Sequence, residues 1–225
     1  MTPAGSKSKP NSTIAVDKLR ALIFSGELGA GTDHLESELA TKLGMSRTPV
    51  REAVLILESQ GLLEVRPRKG VRITPVSPGD MAEIYDVLTE LESLAAADAA
   101  RRGYTKADLG RLARSIDAME LALARDDRTE WAKSDERFHS ELVRLGGNSR
   151  VQIIAAMMSD QVRRARMVTL YMRPAPDQSN ADHRGVFEAI SRGEAEAARN
   201  IHRAHRMNAK RILIALLAKH HLNAL

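Results

Sequence analysis

Apolar residues recur every three or four positions over most of this chain, the spacing of amphipathic helices, and the interruptions fall at glycine, proline and capping residues. Residues 13–27 place Ile14, Leu19, Leu22 and Ile23 on one face, and the glycine-rich GELGAGT then breaks the helix. Residues 36–43 read as a short helix closed by Gly44. Ser46 stands at an N-cap with Pro49 in the first turn, where a missing N–H costs little, so a third helix runs to about Gln60. After Gly61 the period falls to two. LLEVR and VRITP, joined by Pro67-Arg68-Lys69-Gly70, predict a β-hairpin with a basic tip. Ahead of these elements, MTPAGSKSKPNS is polar, lacks the apolar stretch of a secretory signal, and reads as a disordered arm over 1–12.

From Ser77-Pro78-Gly79-Asp80, a cap followed by a first-turn proline and acid, the pattern is helical nearly to the end. The stripes begin with Met81, Ile84, Tyr85, Leu88, Leu91 and Ala95. A second helix, capped by Thr105, carries Leu109, Leu112, Ile116 and Met119. A third spans about 128–145, a fourth about 149–171 before a loop with Pro174 and Pro176, a fifth about 178–191, and a sixth reaches about His221. The expected fold is mainly α: a winged helix-turn-helix over 13–76 and an all-α six-helix bundle over 77–225.

Composition narrows the chemistry. The chain has 225 residues and no cysteine, which removes disulfides, thiolate metal sites and cysteine nucleophiles. Aromatics are only 3%, too few for stacking platforms that hold single strands. No apolar run reaches the roughly 18 residues of a membrane span, so a cytoplasmic protein without a membrane partner is expected. Net charge is +5, and the first 76 residues hold 11 basic against 8 acidic side chains. That excess sits where a reader of double-stranded DNA would use it. Arg47, Thr48 and Arg51 open the third helix, where a recognition helix meets base edges, and arginine can pair bidentately with guanine. Ser46 and Thr48 suit phosphate. Arg68 and Lys69 at the wing tip are placed for the minor groove, with Gly70 allowing close backbone approach.

The second part interrupts its apolar stripes with metal-ligand residue types. Asp135 and His139 stand at i and i+4 on the third helix of the bundle, His183 on the fifth and His205 on the sixth. A buried carboxylate needs a partner, and one Asp with three His suits zinc, nickel, cobalt or manganese. An Asp135–His139 helix pair with hydrogen-bonded core histidines accounts for the spacing equally well. His202 rivals His205, but shares its face with Arg199 and Arg206, a more polar setting. His220 and His221 are expected to be solvated at the terminus.

LGMSRTPVREAVLILESQGLLEVRPRKGVRI resembles the DNA-binding domain of the GntR family of bacterial transcription regulators, with SRTPVREA as its core. Gly29-Ala30-Gly31 stands where that family usually has a basic residue, Pro and Gly. DERFH, DHRGVFEAI and GEAEAARNIHRAH resemble the FCD ligand-binding domain of the FadR subgroup, in its six-helix, VanR-like branch. The resemblance implies a metal on Asp135, His139, His183 and His205, zinc foremost. It also implies a homodimer on a palindromic operator and a small-molecule effector, commonly a carboxylate, bound beside the metal. The family often places an arginine in the effector pocket where this chain has Leu88. Tyr85, Arg163 and Arg166 are the candidate effector contacts, the two arginines also reading as a solvated basic face. The expected function is a sequence-specific regulator, a repressor, and not an enzyme. The alternatives are a metal-sensing repressor and a metal-dependent hydrolase. For the latter, Glu136 is a poorly placed base, turned about 100° from Asp135.

Overall fold

The computed structural model describes residues 10–220 and 222. Their contacts separate into two compact units, with the division between Val76 and Ser77. Residues 1–9 of the expected arm lie outside the described residues. Asn11 and Ser12, expected in that arm, belong instead to the first helix, because Pro10 opens it: φ is −55° and its carbonyl accepts from Ile14 N–H at 3.1 Å.

The first unit runs α1 (Asn11–Phe24), β1 (Asp33–His34), α2 (Glu36–Leu43), α3 (Arg47–Ser59), β2 (Leu63–Arg66) and β3 (Gly70–Ile73). Leu19 and Ile23 of α1, Leu39 of α2, Val54 and Leu57 of α3 and Ile73 of β3 close one core. Each fully buried aliphatic side chain there contributes roughly 1.5–3 kcal/mol. Gly44 ends α2 at φ 63°, and the Lys18 ammonium donates to the Leu43 carbonyl at 3.2 Å, so the end of α2 is tied to α1. The sheet has the order β1-β3-β2, antiparallel throughout, with Val65 opposite Val71 and His34 also opposite Val71. The two-residue β1 was not expected.

It also places a structural demand on Gly70. This residue has φ +87°, and a Cβ there would come 2.3 Å from the His34 carbonyl oxygen. Glycine is therefore needed for the crossing of β1 and β3. Ser46 occupies the N-cap position of α3, but its side chain makes no capping hydrogen bond.

The second unit is helical: α4 (Pro78–Arg101), α5 (Gly110–Ala124), α6 (Arg128–Gly146), α7 (Ser149–Val168), α8 (Asp177–Ser191) and α9 (Ala195–Lys219), with a 3-10 turn at Leu170–Met172. Ser77, the expected cap, and Asp80 form a capping box. Asp80 N–H donates to Ser77 Oγ at 3.1 Å and Ser77 N–H to Asp80 Oδ2 at 2.9 Å. Thr105 caps a turn with Asp108, and α5 proper starts only at Gly110, beyond that turn. Helix α4 packs against α6, α7, α8 and α9 and so runs through the middle of the unit. Alanines at 95, 96, 97, 99 and 100 make this close packing workable. At Gly146 of α6 an added Cβ would lie 2.7 Å from Ala95 Cα, so the two backbones nearly touch. The core joins Leu112, Ile116 and Met119 of α5 to Phe138 and Leu142 of α6 and Val186 and Ile190 of α8. His220 is exposed as expected, and His221 lies outside the described residues.

Candidate metal centre and DNA-contacting face

Helical periodicity builds the centre. Asp135 and His139 are one turn apart on the inner face of α6, and α8 and α9 bring His183 and His205 against them. All four side chains are buried, and one ligand atom of each lies within 4.8 Å of all the others. His139 Nε2 is 3.7 Å and His183 Nε2 is 3.6 Å from Asp135 Oδ1. The His183 and His205 ring centroids are 4.5 Å apart, and Phe138 packs on His183 at 4.2 Å.

The decisive feature is what these atoms lack. Asp135 Oδ1, His139 Nε2 and both ring nitrogens of His183 are buried and find no hydrogen-bond partner among the described residues. Leaving even one buried polar atom unpaired costs about 1–3 kcal/mol. A shared divalent cation would satisfy them together, so the residues fit a metal. Their N/O donor set suits zinc, nickel, cobalt or manganese.

The second carboxylate oxygen, Asp135 Oδ2, accepts from Arg166 of α7. Arg166 is thus largely buried and paired to a site residue, which corrects its reading as part of a solvated face. Arg163 reaches Glu136 at 3.1 Å instead. Tyr85 is fully buried, with the Arg206 guanidinium carbon 5.4 Å from its ring centroid. Leu88 is likewise fully buried.

The structure adds residues that the sequence reading missed. Glu92 of α4 is 1% exposed and receives Arg206 Nη2 on Oε1 at 2.7 Å and His202 Nε2 on Oε2 at 2.9 Å. His139 Nδ1 also lies 3.0 Å from Oε2, at hydrogen-bonding distance but outside good hydrogen-bond angles. His202 is therefore not in a polar surface setting: it is fully buried and committed to Glu92. Glu92, His139 and His202 also cluster closely enough for an ion. Both Glu92 oxygens are already engaged, however, whereas Asp135 keeps one open. Asp182 receives His205 Nδ1 at 3.3 Å. Glu92 had a sequence signal: it falls on the inward stripe of Tyr85 and Leu88.

Charge follows geometry. Burial alone would raise Asp135 and Glu92, yet Arg166 beside the first and Arg206 beside the second, helped by His139, hold both well below the usual carboxylate range. Burial depresses His183, His205 and His202, the last to about 3. His139 is raised, because Glu92 and Asp135 outweigh its burial.

A pH dependence follows. A histidine kept neutral when folded costs stability once the unfolded chain can protonate, below a pKa of about 6.5. Three histidines carry this sign. His139 carries the opposite one, contributing stability that is lost as pH rises. Acidification from about pH 7 to 5 should therefore lower the melting temperature of the metal-free protein, measured by circular dichroism at constant ionic strength. A rise over that range would contradict the arrangement.

On the first unit, Ser46, Arg47, Thr48 and Arg51 are all exposed at the start of α3, while Val50, Ala53, Val54 and Leu57 anchor the opposite side. Arg68 and Lys69 are exposed at the wing tip, where Lys69 N–H donates to the Arg66 carbonyl at 3.0 Å. Arg68 there has φ +64°, a conformation usually left to glycine or asparagine. The two clusters expected to meet DNA thus lie free of the core.

Comparison with known proteins agrees with both units. The model of bacterial regulatory proteins of the gntR family matches residues 11–73, and that of the FCD domain matches residues 83–208. An uncharacterized HTH-type transcriptional regulator in an unstable DNA locus of Streptomyces ambofaciens is 34% identical over 188 residues, 84% of this chain and 78% of that protein. A probable D-xylose utilization operon transcriptional repressor of Paenarthrobacter nicotinovorans is 30% identical over 199 residues, 87% and 86% of the two chains. The solved structure of E. coli McbR/YncC shares the fold, with TM-score 0.76 at 22% identity, covering 93% of this chain and 99% of that one.

Proposed function

From the premise that this chain belongs to the GntR family of bacterial regulators with a C-terminal FCD domain, we propose that it is a repressor whose operator binding is set by a small anionic molecule bound beside a metal ion in the helical unit. The family is one of DNA-binding transcriptional regulators, not of enzymes, so the hydrolase alternative falls away. Repression is supported by the D-xylose operon relative, which is itself described as a repressor. No helix among the described residues is long and apolar enough to cross a membrane.

The observation that carries the reading is the set of buried, unpartnered donors on Asp135, His139 and His183, joined by His205. These four residues hold the ion, with zinc first among the metals that suit them. Once bound, such an ion supplies Lewis-acidic positions for an oxygen donor. Arg166, already at Asp135, is a cation at the site for an acidic effector. The buried Leu88 offers none from α4.

A homodimer reading a palindrome, with one α3 per half-site, suits the exposed Arg47, Thr48 and Arg51. The apolar surface of α7, with Ile153, Ile154, Met167 and Val168 exposed, supports self-association through the helical unit.

A gel-shift series across the promoter of the chain's own gene tests the reading. A specific shift at physiological salt, released by an organic acid, is expected, and no specific shift under any condition would sink it. Arg51→Ala should relax sequence discrimination by about 1–3 kcal/mol while leaving nonspecific binding nearly intact. The metal-sensing alternative predicts a different outcome: chelator alone would reversibly change the shift, and no organic acid would.

A further inference from the structure

We propose that Glu92 is the positioning carboxylate of the metal centre, holding the His139 ring so that Nε2 faces the donors of Asp135, His183 and His205. The inference rests on the metal reading above and concerns which side chains make that centre work.

An ionised carboxylate only accepts hydrogen bonds, so a ring nitrogen set against it must carry the proton. Glu92 Oε2 lies 3.0 Å from His139 Nδ1, a charge contact that favours a proton on that nitrogen although its angles fall outside a good hydrogen bond. The proton on Nδ1 leaves Nε2 with its lone pair, and Nε2 is the atom 3.7 Å from the open Asp135 oxygen. Asp182 sets the same nitrogen of His205, here through a hydrogen bond accepted from Nδ1 at 3.3 Å. Both rings therefore turn the same nitrogen outward to a carboxylate, the arrangement that orients metal-bound histidines.

The two carboxylates differ in how firmly they are held. The Asp182 side chain is 19% exposed and its contact is long. Glu92 is buried and locked from α9 by Arg206 at 2.7 Å and His202 at 2.9 Å. Those two residues lie on the same helix as the ligand His205. One carboxylate on α4 thus fixes His139 of α6 and ties it to the helix that carries another donor. This gives a use to a buried Glu–Arg–His group that is otherwise costly to bury. It also explains why His202, one turn from His205, is not needed as a ligand: its ring holds the positioning carboxylate.

The full-length protein is titrated with zinc against a competing chelator, alongside Glu92→Gln and Asp182→Asn. Glutamine keeps the shape but loses the charge and one acceptor. Zinc affinity should fall about 10–100-fold in Glu92→Gln and less in Asp182→Asn. Because Glu92→Gln also strands Arg206, at a cost to folding, the wild-type protein provides an independent readout. In the zinc-loaded form, long-range proton–nitrogen correlation spectra should show His139 bound through Nε2 and protonated on Nδ1. Zinc bound through His139 Nδ1, or unchanged affinity in a folded Glu92→Gln, would overturn the positioning role and leave the centre itself standing. No zinc uptake by the wild type would overturn both.

Discussion

Replacing Arg206 with methionine should lower the melting temperature of the helical unit by roughly 6–20 °C. Arg206 is 3% exposed, and its partner Glu92 is 1% exposed. Removing the guanidinium leaves a carboxylate buried among helices with only histidines to compensate it. Breaking such a buried pair costs about 3–5 kcal/mol, and in a chain of this size each kcal/mol shifts the melting temperature by about 2–4 °C. Methionine keeps most of the apolar stem, so the loss reports on charge rather than volume. Adding Glu92→Gln should recover part of the loss, since the stranded charge is then gone. Calorimetry of the single and double variants checks both statements. A shift under about 2 °C for Arg206→Met would mean that Glu92 is not held by this pair.

Zinc should stabilise the protein by a comparable amount. A ligand that binds only the folded state at about a thousand times its dissociation constant adds about 4.1 kcal/mol. By the same conversion this raises the melting temperature by about 8–16 °C. The ion would join three helices, α6, α8 and α9, so its effect reaches beyond local order. Chelator should reverse the gain, and Asp135→Ala should abolish it. Trp131, the sole tryptophan, lies one turn from Asp135 and donates to Asn180 Oδ1 at 2.8 Å, so its emission gives a second readout of binding. Equal melting temperatures with zinc and with chelator would remove the metal from the account.

Much of the fold was legible because it is set locally. Apolar spacing gave the α-helices of both units among the described residues, and Gly44 at positive φ marks the end of α2 as expected. Serine followed by proline announced α4. Strand β1 was not legible, since two residues carry no period, and its existence depends on Arg72 and Val71 of β3, nearly forty positions away. The structural demand on Gly70 was illegible for the same reason: the backbone it must avoid belongs to His34.

The centre divides along the same line. By itself the sequence determined that Asp135, His139, His183 and His205 face inward, because each interrupts an apolar stripe at helical spacing. It left open whether they met, read Arg166 either as an effector contact or as part of a solvated face, and set His202 and Arg206 on a more polar face. Only the tertiary structure decided that these three are drawn inward by carboxylates: Arg166 by Asp135, His202 and Arg206 by Glu92. The physical reason is range. Periodicity reports on neighbours within a turn or two, whereas a buried charge is tolerable only when its counter-charge arrives, and here Arg206 meets Glu92 across 114 positions of sequence.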